Sequence, residues 1–191
     1  MLTTFQEALI ALATDPGWRA RFRAEREAFL EVLPLDATER RALADIPTEA
    51  MNRFARSLVA KKWQEVARTT PLTLRLVPQL ALMYRTWAES HRALATYGSL
   101  SPGAAEALRA LPALRHQLSA PRYPEYAADL LAYEVLAACS RLDRVERLLA
   151  SRWNLAEIAA DICKGLLPID PTDGATLFRF DGSGVRRRVR P

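Results

Sequence analysis

Residues 175–190, Ala-Thr-Leu-Phe-Arg-Phe-Asp-Gly-Ser-Gly-Val-Arg-Arg-Arg-Val-Arg, read as a β-hairpin. Ala175 to Phe180 is rich in aromatic and β-favouring side chains, Asp181-Gly182-Ser183-Gly184 supplies the turn, and Val185 to Arg190 returns. Successive side chains on a strand face opposite ways, so Leu177 and Phe178 look to different sides of the sheet. Upstream, Asn154 with Glu157 is a capping pair for a helix that buries Leu155, Ile158 and Ile162, with Cys163 at the edge of that stripe and Gly165 as its stop. Val145 to Ser151 fits a strand, although Leu148-Leu149 suits a helix equally well. The segments add up to a β-α-β-β end whose outer strand offers unpaired backbone groups.

Everything before this end carries helix signals. Thr4 with Glu7 is a capping box over a stripe of Phe5, Leu9 and Leu12 ending near Thr14. Asp15-Pro16 starts a second helix bearing Trp18, Phe22, Phe29 and Leu33 and closed by Pro34. Asp36 with Glu39 opens a third, and Pro47-Thr48 precedes a longer one carrying Met51, Phe54, Leu58 and Val59 toward the core. Thr70-Pro71 and Ser101-Pro102 place helices over about 71–96, bent or interrupted at Pro78, and over 102–118. Pro121 and Pro124 begin another, with Tyr126, Leu130, Tyr133 and Ala137 on one stripe and Asp129 and Glu134 beside it. Glycine, scarce in the body, recurs at Gly165, Gly174, Gly182 and Gly184. The fold class is therefore mainly α: a multi-helix body over residues 1–140 and a small C-terminal α+β (β-α-β-β) end over 141–191.

Composition excludes several classes of function. With 191 residues, half of them apolar, a core needs no disulfide or metal staple. No apolar run reaches the length of a membrane span, and the N-terminus lacks a basic segment followed by an apolar one, so a cytoplasmic protein without a membrane partner is expected. Cys139, Cys163, His91 and His116 form no metal-ligand spacing, and the cysteines are read as free thiols. The net charge of +5 is a C-terminal feature: residues 174–191 hold five of the 27 Lys and Arg but one of the 22 Asp and Glu. That end can meet phosphates or an acidic peptide, while the near-neutral body lacks a basic recognition helix.

No phosphate loop, GxSxG elbow, HExxH or CxxC occurs. Asp129 and Glu134 share a helix, yet solvated or ion-paired acids are the commoner outcome, and both histidines lie near helix ends. Trp18, Trp63, Trp87 and Trp153 default to core, with Trp153, at the junction of body and end, the candidate for a partner contact.

The segment from Phe5 to Leu76, with Asp15-Pro16-Gly17-Trp18 and Arg53-Phe54-Ala55-Arg56-Ser57-Leu58-Val59-Ala60-Lys61-Lys62, followed by Glu65-Val66-Ala67-Arg68, and the closing Leu177-Phe178-Arg179-Phe180 hairpin resemble the partner proteins of multinuclear non-haem iron oxidative enzymes. The order of helical body and β-rich end is most similar to the methanobactin-biosynthesis partner subunits of the MbnC type. The resemblance implies a non-catalytic subunit, with no cofactor of its own, that forms a heterodimer with a TIM-barrel iron oxidase of the MbnB type. The pair would oxidise cysteines of an MbnA-type precursor peptide to oxazolone and thioamide groups that later bind copper. On that reading residues 1–140 dock the oxidase. The C-terminal end holds the leader by strand addition through Leu177, Phe178, Arg179, Phe180, Val185, Arg186 and Arg188. The residues alone leave a second reading open, a nucleic-acid-binding helical protein using the Arg-rich C-terminus, and a third, an enzyme whose site is assembled by the fold.

Overall fold

A computed structural model describes residues 4–92, 97–168 and 173–189, without the side chains of 173, 174 and 187–189. Among them run ten helices and three strands, a mainly helical chain with a small antiparallel sheet near its C-terminal end. The fold forms two compact units, Met1–Lys61 with Thr86–Leu94, and Lys62–Arg85 with Ala95–Pro191. The β-rich end shares the second unit with the helices it covers.

In the first unit lie α1 (Thr4–Thr14), α2 (Pro16–Ala24), α3 (Arg26–Glu31), α4 (Ala37–Ala44) and the leading part of α5 (Thr48–Thr69). Asp15 caps α2 by accepting from the Gly17 and Trp18 amides, and Asp36 and Glu39 form the expected capping box on α4. The single helix expected from Pro16 to Leu33 is two, broken where Glu25 leaves helical geometry at φ −139°, ψ 54°. No glycine or proline marks the break. Past it, Arg26 turns its guanidinium over Phe22 and donates to the Ala44 carbonyl at 2.7 Å and the Thr48 hydroxyl at 2.8 Å. Leu12, Phe22, Phe29, Leu43 and Met51 form the core, with Trp18 and Phe22 both edge-on to Phe29. Phe54, expected inside, is 54% exposed, because the inward stripe of α5 runs through Met51 and Ala55 instead.

The second unit is built on α8 (Pro102–Leu118) and α9 (Ala127–Asp143), flanked by α6 (Pro71–Leu76), α7 (Leu80–Glu89) up to Arg85, and α10 (Leu155–Cys163). The interruption expected at Pro78 separates α6 from α7. Alanines at 104, 107, 110, 127, 128 and 132 are buried. A Cβ on Gly103 would lie 2.6 Å from the Glu65 backbone, so α8 and α5 meet at a distance only glycine permits. Asn154 makes no side-chain cap on α10 and its Oδ1 is buried without a partner, whereas the C-terminus closes as expected: Gly165 at φ +81°, its N–H donating to the Ile162 carbonyl and that of Leu166 to Asp161. Cys163, expected at the edge of the buried stripe, is exposed; Cys139 is buried, and both are free thiols. Trp153 lies in the core, edge-on to Tyr126.

Candidate functional site

The sheet is a meander of β1 (Arg147–Trp153), β2 (Asp173–Asp181) and β3 (Gly184–Val189), with α10 between the first two strands. Register places Leu149 opposite Phe178 and Phe180 opposite Val185 on one face. That face lies on α9: the Tyr133 ring stands edge-on to Phe178 at 5.2 Å and to Phe180 at 5.4 Å. Both phenylalanines, expected among the peptide contacts, are 0% exposed. Alternation gives the sheet one apolar face, the helix covers it, and as members of the central strand their backbones are bonded on both sides.

The remaining expected site residues divide by face. Leu177 and Arg179 point to the open side, where Arg179 is opposite Arg186 in the register. Arg179 pairs with Glu146 at 2.6 Å and Arg186 approaches Asp181 at 3.9 Å. Val185 is on the inner face at the sheet's edge and 40% exposed. Arg188 pairs through its backbone with Leu177, and its side chain lies outside the described residues.

The two edge strands differ. β1 shifts register between Ser151 and Trp153, and places Arg147 on the inner face in a two-pronged contact with Asp143 of α9, at 2.8 and 2.6 Å. A bulge and an inward charge are devices that close an edge to added strands. β3 has no bulge; it pairs residue for residue with β2 from Gly184 to Val189, with Arg187 opposite Phe178.

Beside β3 opens a cavity of about 500 Å³, walled by Gly184 and Val185, by Pro71 and Leu72 of α6, and by Tyr133, Glu134, Ala137, Ala138, Arg141 and Leu142 along α9. Glu134 is already engaged, accepting from the Leu72 and Thr73 amides and the Thr73 hydroxyl. Burial pushes its carboxyl above the ordinary value even against those three donors. Arg68 and Arg141 also line the cavity and form no ion pair among the described residues. The Arg141 Nε donates to the Ala137 carbonyl at 3.2 Å. Cys163 reaches the same cavity. Sequence reasoning missed Arg68, Arg141 and Cys163 here, since helices α5, α9 and α10 meet the hairpin only in three dimensions.

No protein-family model, curated protein or solved structure matches this chain. The geometry therefore carries the functional reading.

Other candidate chemistry resolves into structure. Asp129 accepts from Arg115 at 2.7 Å and from the Ser151 hydroxyl at 2.8 Å, tying α9 to α8 and β1, and does not share a site with Glu134. Buried Glu106 lies between Lys62 at 2.7 Å and Arg109 at 2.8 Å; burial alone would push its carboxyl up, but those cations hold it below the usual value. His91 stacks on Trp87 with Nδ1 at 2.7 Å from the Trp87 carbonyl, and His116 is exposed. Among the described residues no group of three His, Cys, Asp or Glu could hold a metal ion, and no helix is long and apolar enough to cross a membrane. The first unit has an apolar groove of about 600 Å³ between α1 and α5, lined by Leu9, Ile10, Ala13, Met51, Phe54 and Leu58.

Proposed function

We propose that this chain is a peptide-holding partner subunit, which binds an extended precursor segment along β3 and presents it to a companion iron oxidase. The observation that carries the reading is the contrast between the sheet's edges: β1 breaks register at its end, β3 pairs without a shift, and no further strand pairs with β3 among the described residues. An added strand gains main-chain hydrogen bonds from such an edge, and its alternate side chains supply selectivity. The arginines on β3 favour an acidic peptide and speed encounter more than they tighten the complex.

Companion docking belongs to the first unit on this reading. Ile10 and Phe54, 47% and 54% exposed, sit in one apolar groove, a surface that a protein working alone gains nothing by showing to water. Methanobactin biosynthesis is the branch the sequence resemblance favours; there the companion holds the iron and oxidises the peptide cysteines, and this chain positions them.

The test is co-expression with an iron oxidase candidate encoded beside it, followed by size-exclusion chromatography, iron analysis and binding of the Cys-bearing precursor. A stable iron-containing heterodimer that binds the precursor through β3 supports the reading. A chain that elutes alone and binds DNA at physiological salt overturns it in favour of nucleic-acid binding.

A further inference from the structure

We propose that the cavity beside β3 is a specificity pocket, taking an apolar side chain of the bound peptide together with an Asp or Glu two residues along the same face. This inference rests on the strand-addition reading above. A strand laid on β3 continues the pleat of the sheet, so every second side chain points to the level of α9. Those side chains meet the cavity, because Gly184 and Val185 form one of its walls and α6 and α9 form the others.

The lining sets the chemistry. Leu72, Ala138, Leu142 and Val185 give apolar walls, and about 500 Å³ accommodates more than one side chain. Arg68 and Arg141 are exposed on helices α5 and α9 and have no carboxylate partner among the described residues. Glu134, the one acid among the described lining residues, is committed to the amides of α6 and the Thr73 hydroxyl. Two guanidinium groups with no carboxylate partner among the described residues, lining the same cavity as these apolar walls, suit a carboxylate next to a buried aliphatic group, and a guanidinium fork holds a carboxylate in two hydrogen bonds. Residues two apart on a strand are about 6.5–7 Å from each other, so one peptide can fill the apolar part and reach the arginines at once.

A phage-displayed library of peptides about twelve residues long, a length suited to strand addition, panned on the full chain tests this. Enriched sequences are expected to share an apolar residue with Asp or Glu two positions away. Replacing that acid by its amide, or reversing charge with Arg68→Glu and Arg141→Glu, is expected to weaken the selected peptide by about tenfold or more. Bound peptide is also expected to slow maleimide labelling of Cys163, which lines the cavity, several-fold, with buried Cys139 as internal reference. Peptides that bind without an acid preference, ignore both charge reversals and leave Cys163 labelling unchanged overturn the pocket; if a proline in β3 still abolishes their binding, strand addition stands. Peptides indifferent to proline in β3, or no enrichment at all, overturn both.

Discussion

Glu134 on α9 closes the N-terminus of α6 through Thr73, one carboxylate oxygen accepting the Thr73 amide at 2.8 Å and its hydroxyl at 2.6 Å while the other accepts the Leu72 amide at 2.7 Å. A helix of six residues cannot stand on its own hydrogen bonds, so this cap holds one wall of the β3 cavity in place. Glu134→Ala strands the buried Thr73 amide and the half-buried Leu72 amide and is expected to lower the unfolding free energy by about 2–3 kcal/mol, read from urea titration of the full chain. A change below about 0.5 kcal/mol would show that water replaces the carboxylate at no cost.

Consecutive residues of β3 send their N–H groups in opposite directions, one into the ladder with β2 and one outward. Arg186→Pro and Arg187→Pro should therefore differ in kind. One breaks a ladder bond and lowers the melting temperature; the other leaves stability nearly unchanged and removes an outward donor. Strand addition predicts that the stable variant loses peptide affinity. If it binds as the parent does, the peptide does not use this edge.

Gly103→Ala should destabilise the chain despite alanine's better helix propensity. The new methyl would sit 2.6 Å from the Glu65 carbonyl carbon and oxygen, which are backbone and have no side-chain freedom to yield. Overpacking of this kind costs about 1–3 kcal/mol, more than the roughly 1 kcal/mol that removing a helical glycine returns. A thermal melt of the variant checks the sign.

Acid stability should depend on Asp143. Its hydrogen bonds from Arg147 hold the carboxyl at about 2, against an ordinary 3.8. The depressed value means the ion pair stabilises the fold fully above the ordinary carboxylate range, and this contribution is lost as pH falls from 3.8 through about 2. Asp143→Asn should flatten the melting-temperature profile in that window. Glu134 runs the other way: its raised carboxyl favours the protonated folded state, so its effect is a decline in stability as pH rises from about 4.5.

Phe54→Asp separates the two surfaces. The side chain is 54% exposed, so stability should change little, within about 0.5 kcal/mol, while co-elution with the oxidase is lost and peptide binding by the second unit remains. Retained co-elution would place companion docking elsewhere.

Local chemistry was the legible part of this chain. Asp15, Asp36 and Ser101 cap their helices where expected because an N-cap is decided within four residues. The hairpin at Asp181-Gly182-Ser183-Gly184 and the strand before α10 were legible for the same reason. What failed needed tertiary context. The break at Glu25 carries no glycine or proline and follows Arg26's reach to Ala44 and Thr48, eighteen or more residues away. Asn154 has a capping residue's identity without its bond. Alternation puts Leu177 and Phe178 on opposite faces but does not name the covered one; Tyr133, more than forty residues upstream, decides that.

The arginines of β3 also govern how the chain treats copies of itself. Two such strands meeting edge to edge would bring their Arg186, Arg187 and Arg188 runs against one another, and like charges placed across a ladder oppose pairing. On the strand-addition reading, the edge that takes a foreign strand is by the same arginines disfavoured for pairing with a second copy of itself.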